Sequence, residues 1–118
     1  MKKERANAML QNAMEMKKIK MNPDKLDIKF INASIHGRTW KTKRLLIEGA
    51  DINSKDARGR TGLMYATYNG YIKIVKLFVK NDNLEINMKD ENGRSSLKFA
   101  EWNGYSEIAE ILKAYGAE

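Results

Sequence analysis

The sequence predicts an all-α solenoid: stacked helix-turn-helix units joined by short β-turn or hairpin loops, with one further helix at the N-terminus. Three observations predict it. A block of residues recurs at offsets of 33 and 34. Each block carries two short segments whose apolar residues keep helical spacing. Glycine, asparagine and aspartate punctuate the blocks at constant phase.

The repeat is clearest where Asp56-Ala-Arg-Gly-Arg-Thr-Gly-Leu63 aligns with Asp90-Glu-Asn-Gly-Arg-Ser-Ser-Leu97. It continues through Ala66/Ala100, Asn69-Gly70-Tyr71/Asn103-Gly104-Tyr105, Ile74/Ile108 and Phe78/Leu112. Backwards, Ala33, Gly37, Leu45 and Leu46 match Ala66, Gly70, Phe78 and Val79. Asn53 and Asn87 are again 34 apart, which places the extra residue in Asn81–Glu85.

Each copy reads as turn, helix, turn, helix. Asp56 and Asp90 open tight turns and are expected to accept backbone hydrogen bonds, with Gly59 and Gly93 supplying positive φ. Thr61 and Ser95 suit helix N-caps. The first helices run to about Asn69 and Asn103, where Gly70 and Gly104 suit left-handed C-caps. The second helices carry Ile74, Val75, Leu77 and Phe78, or Ile108, Ala109, Ile111 and Leu112, as one stripe. Gly49-Ala50-Asp51 and Gly116-Ala117-Glu118 close second helices; the middle copy has Asn81 or Asn83 for that role. Phe30, Leu63 and Leu97 are expected to share one core position, Ala33, Ala66 and Ala100 another, and Leu45, Phe78 and Leu112 a third. Glu107, Glu110 and Lys113 suit the polar outer face of a terminal cap.

Composition narrows the function classes. Hydrophobic residues make up 42% of the 118, enough for a packed core. No run of 18 apolar residues occurs, so no membrane span is expected, and Gln11, Asn12 and Glu15 interrupt any signal-peptide core. The absence of cysteine excludes disulfide and thiolate chemistry and fits a cytoplasmic protein. A single histidine, His36, excludes a multi-histidine metal site within one chain; it aligns with Asn69 and Asn103 and reads as a surface or cap residue. Gly59-Arg60-Thr61-Gly62 resembles a phosphate loop only superficially, since it sits at the repeat turn. There is no Ser/His/acid set, and neither an enzymatic activity nor a cofactor is expected.

The formal net charge is +7, unevenly spread: residues 1–22 carry six basic and two acidic side chains, residues 23–118 sixteen and thirteen. The predicted organisation is therefore a basic amphipathic N-terminal helix over 1–22 and a repeat domain over 24–118, with repeats at about 24–55, 56–89 and 90–118. Between Glu4 and Lys20 the helix aligns Ala6, Met9, Leu10, Ala13 and Met14 on one face, and Asn22-Pro23-Asp24 ends it. It either packs over the first repeat or meets a partner or a membrane surface.

A unit of 33 residues with Asp-x-x-Gly-x-Thr, a small alanine, a helix-ending glycine and Gly49-Ala50-Asp51-Ile52-Asn53 resembles the ankyrin repeat. The resemblance spans about residues 24–118. It departs where that family usually has Thr-Pro-Leu-His: here Thr61-Gly62-Leu63-Met64 and Ser95-Ser96-Leu97-Lys98 lack both proline and histidine. The first copy, with Pro23 at the turn, reads as an N-terminal cap.

The resemblance implies a non-enzymatic protein-protein interaction module that binds through a concave face formed by the turn tips and first helices. Projected onto this sequence, that face holds Arg58, Arg60, Asn92 and Arg94 at the tips and Ile35, Tyr68 and Trp102 at one helical position. Tyr, Trp and Arg are the types enriched at interface hot spots. An acidic protein partner with apolar anchors fits them. The plain alternative leaves Tyr68 and Trp102 packed on neighbouring helices and the arginines solvated, with Tyr65 and Phe99 in the core. A different class of function is binding to nucleic acid or an anionic surface through the basic arm with Arg58, Arg60 and Arg94; the thirteen acidic residues of the body disfavour it.

Overall fold

The computed structural model describes residues 25–118. The helix expected between Glu4 and Lys20 and its break at Asn22-Pro23-Asp24 lie outside them. The described chain is a succession of three helix pairs: α1 (Lys25–Ile35) with α2 (Thr39–Glu48), α3 (Gly62–Tyr68) with α4 (Ile72–Val79), and α5 (Ser96–Trp102) with α6 (Ser106–Ala114). No helix among the described residues is long and apolar enough to cross a membrane.

Capping chemistry sets the helix boundaries. Thr61 Oγ1 accepts the Met64 N–H at 3.3 Å, and Met64 Sδ accepts the Thr61 N–H at 3.5 Å. A thioether thus returns the reciprocal capping contact, although sulfur is a weak acceptor. Ser95 Oγ accepts the Lys98 N–H at 3.3 Å in the next repeat. At the other ends, Gly70 and Gly104 adopt φ of 73° and 69°, so the chain turns sharply from first to second helix. In the middle repeat Lys80 ends α4 in a right-handed conformation, and Asn81 Oδ1 accepts the Asn83 N–H at 2.9 Å, an Asx turn that redirects the chain.

The helices form two layers. First helices pack on first helices, α1 on α3 and α3 on α5, while α2, α4 and α6 follow one another in the second layer. Phe30, Leu63 and Leu97 are all buried at the first-layer interface, as are Ala33, Ala66 and Ala100, where the small side chain admits a neighbouring helix. Leu45, Phe78 and Leu112 are buried between the layers, and the rings of Phe30 and Phe78 meet at 5.2 Å. No pair covers its own apolar face; each needs the next one, which is the physical reason for repetition.

Polar ties reinforce this stacking at both ends of the units. Asn53 donates from Nδ2 to Asn83 O at 2.7 Å and accepts the Glu85 N–H at 2.8 Å. Asn87, its equivalent, donates to Gly116 O at 3.2 Å and accepts the Glu118 N–H at 3.0 Å. Asn103 Nδ2 reaches Tyr68 O of the preceding repeat at 3.0 Å. The recurring asparagines therefore join repeats as well as shape loops.

Candidate functional site

The turn tips are built on two aspartates. Asp56 Oδ1 accepts the N–H groups of Arg58 and Arg60, each at 2.9 Å, and Asp90 Oδ1 accepts those of Asn92 and Arg94, also at 2.9 Å. This is the turn role expected of them. Successive tips touch: the Glu91 N–H donates to Arg58 O at 3.0 Å. Gly59, at φ 74°, stands where a Cβ would come within 3.0 Å of Glu91 N, so side-chain absence permits this approach. A single antiparallel bridge between Lys89 and Ser95 frames the second tip.

The second carboxylate oxygen of Asp90 then organises the arginines. Arg94 Nε donates to Asp90 Oδ2 at 3.1 Å, and Arg60 Nε lies 3.6 Å from the same oxygen. That distance makes an ion pair without a hydrogen bond, and Arg60 Nε is buried with no other acceptor. Asp90 itself is buried, its side chain 1% exposed. Burial favours its neutral form, but the backbone donors of Arg94 and Asn92 and the Arg94 guanidinium outweigh that and hold the carboxyl below its ordinary value. The Tyr65 hydroxyl donates to Asp56 Oδ2. Its own ionisation is pushed up, first by burial and then by the Asp56 hydrogen bond and charge, with Arg60 opposing.

The guanidinium groups lie between aromatic rings. Arg60 Cζ is 5.9 Å from the centroids of both Tyr65 and Phe99; Arg94 Cζ is 5.3 Å from Phe99 and 5.8 Å from Trp102. Tyr65, Arg60, Phe99, Arg94 and Trp102 thus form an alternating ladder across two repeats. Tyr68 adds an edge-to-face contact with Phe99 at 5.8 Å.

Beside this ladder is a pocket of about 190 Å³ lined by Ile35, Arg60, Met64, Tyr65, Tyr68, Asn69 and Phe99. Of the six residues singled out in the sequence, Ile35, Arg60 and Tyr68 line it together. Arg94 and Trp102 adjoin through Phe99, and Arg58 is exposed on the tip. Tyr68 and Trp102 remain 53% and 64% exposed, so packing on neighbours consumes only part of each ring. The solvated arginines of the plain alternative are found only at Arg58, because Asp90 gathers Arg60 and Arg94. Sequence reasoning missed Met64, Tyr65, Asn69 and Phe99 as pocket walls. The available signal was spacing: Tyr65 and Phe99 precede Tyr68 and Trp102 by three residues, on the same side of their helices. His36 is exposed at the end of α1. Among the described residues, no group of three His, Asp or Glu side chains is placed to hold a metal ion.

Comparison with curated proteins finds no match to this sequence. Comparison with protein-family models matches residues 30–118 to ankyrin repeats in three copies. That match spans most of the chain and coincides with three stacked helix pairs, asparagine ties and aspartate-based tips: the chain belongs to the ankyrin-repeat family, whose repeats generally serve as protein-protein interaction modules.

Proposed function

We propose that this protein captures another protein through the first-helix layer and turn tips, using Ile35, Arg58, Arg60, Tyr68, Arg94 and Trp102. The observation that carries the reading is the placement of two half-exposed aromatic rings, Tyr68 and Trp102, beside an apolar pocket bordered by Arg60. Such a pocket takes one apolar anchor side chain, and Tyr and Trp supply contact area at small entropic cost. The arginine ladder presents its rings and cations already ordered, so little side-chain freedom is lost on binding.

The partner that fits is an acidic segment carrying apolar anchors. Arg58 is open to it at the tip, and the single carboxylate of Asp90 leaves positive charge over from Arg60 and Arg94. The reading is of a binding activity without a catalytic step.

Selection of binders from a displayed random-peptide library tests it. The expected binders combine Asp or Glu with one or two large apolar residues, and the joint change Tyr68→Ala, Trp102→Ala weakens their binding at least about tenfold, given roughly 1–2 kcal/mol per hot-spot truncation. Binders that are untouched by the double change place recognition elsewhere.

A further inference from the structure

The second-helix layer carries a surface that the recognition face does not use. Trp40 is 82% exposed and Ile47 is 77% exposed. With Lys43 they occupy positions i, i+3 and i+7 of α2, one stripe of the helix. The equivalent stripe of α4 and its C-cap reads Lys73, Lys76 and Lys80; that of α6 reads Glu107, Glu110 and Ala114. All nine side chains are exposed. The outer face therefore passes from aromatic and cationic, through purely cationic, to acidic within three repeats. Repetition of the fold does not require this, since the same positions serve the same structural role in each copy.

Trp40 stands between two open grooves. One, of about 290 Å³, is lined by Thr39, Trp40, Lys43, Lys73, Lys76, Leu77 and Lys80, with no acidic residue. The other sets Lys29, Lys41 and Arg44 beside Trp40 as well, with Glu48 bonded to Arg44 at 3.1 Å. Among the described residues, none of Lys43, Lys73, Lys76 and Lys80 takes part in an ion pair. Lys43 Nζ lies 5.5 Å from the Trp40 ring centre.

We infer that this face docks on an anionic lipid bilayer, with Trp40 and Ile47 entering the headgroup zone and the α4 lysines meeting lipid phosphates and carboxylates. A projecting indole needs a surrounding that yields around it, and the amphipathic Trp ring is suited to the bilayer interface. The clustered lysines gain from the negative surface potential and can extend their charged ends to the headgroups. Nucleic acid fits less well, because Ile47 and Leu77 would gain nothing from a phosphate backbone and Lys43 occupies one side of the only indole on this face. The acidic stripe of α6 limits the contact to the first two repeats. This surface shares no residue with the pocket of the first-helix layer.

The test uses the full chain with Trp102→Phe, which leaves Trp40 as the sole tryptophan. Vesicles of phosphatidylcholine with about one-third phosphatidylserine should bind it, and vesicles of phosphatidylcholine alone should not. Brominated lipid should quench Trp40 fluorescence on binding. The joint change Lys73→Glu, Lys76→Glu, Lys80→Glu should lower binding about a hundredfold, and Trp40→Ala about tenfold, with thermal unfolding reporting that each variant is folded. The triple variant keeps residues 1–22, so retained binding would assign vesicle attachment to the basic arm and overturn the inference. Unquenched Trp40 in the bound, otherwise unaltered chain overturns it independently of whether the variants fold. So does a single-stranded oligonucleotide or polyglutamate that binds through these lysines while vesicles do not.

Discussion

Gly62 lies against Phe30 of the preceding repeat so closely that a Cβ at position 62 would sit 2.9 Å from Phe30 Cε2 and 2.7 Å from Ser34 Oγ. Neither neighbour has room to yield. Phe30 is fully buried and packs on Phe78, and Ser34 Oγ is held by donating to Phe30 O at 2.9 Å. The large ring on one helix and the missing side chain on the next form one packing unit, which leaves no space at position 62 for the proline usual in the family. Helix propensity alone favours Gly62→Ala by up to about 1 kcal/mol. Overpacking costs about 1–3 kcal/mol, so the substitution is expected to be net destabilising. Urea unfolding checks this, and Phe30→Leu in the same chain should recover part of the loss. A Gly62→Ala protein with a raised midpoint would show that the interface relaxes freely.

Asp90 makes stability depend on acid. Its folded-state carboxyl titrates below the ordinary value, so the unfolded chain binds the proton more readily. The resulting stabilisation is complete above the unfolded carboxyl value, about 4, and is lost as pH falls through the lower folded value. Asp90→Asn removes this dependence and also leaves Arg60 and Arg94 without their shared carboxylate. The variant should be less stable at pH 7 and show a shallower loss of stability as pH falls below about 4. An unchanged acid limb would assign the effect to other carboxylates.

Much of this arrangement was legible in the sequence, for a physical reason. Burial at Phe30, Leu63 and Leu97 follows from a phase that every copy must keep, and the turn roles of Asp56 and Asp90 follow from local backbone geometry. Contacts between copies are different. Arg60 meets Asp90 rather than the carboxylate of its own turn because of the register between neighbouring units, which periodicity within a unit does not encode. The same holds for the pocket, whose walls come from the first helices of three repeats. Trp40 escaped notice because its equivalents are Lys73 and Glu107, so the repeat pattern offers no hint of a shared role.

Core and rim should separate cleanly under truncation. Leu63 is buried at the junction of the first helices, and Leu63→Ala is expected to cost about 2–5 kcal/mol. Trp102 lies on the rim, where its contact with Arg94 is partly solvated, and Trp102→Ala should cost about 1 kcal/mol or less. Thermal unfolding of the two variants side by side gives the comparison. Equal losses would mean that Trp102 belongs to the packed interior and that its effect on binding cannot be separated from folding.

The inter-repeat asparagines predict a local effect more than a global one. Asn53 ties its loop to the next unit through Asn83 O and the Glu85 N–H, all at exposed positions where water can replace a lost partner. Asn53→Ala should therefore cost only about 0.5–1.5 kcal/mol per lost hydrogen bond, toward the lower end, and well below the cost of Leu63→Ala. Asn53→Asp keeps the acceptor for Glu85 but turns a carboxylate oxygen toward the Asn83 carbonyl in place of the donor, so its cost in stability should be at least that of Asn53→Ala. Amide hydrogen exchange at Glu85 reads the tie directly: protection should fall in Asn53→Ala and persist in Asn53→Asp. Protection that persists in both would mean that the loop between α4 and α5 is held by its own turns, and that stacking of the helices alone aligns the repeats.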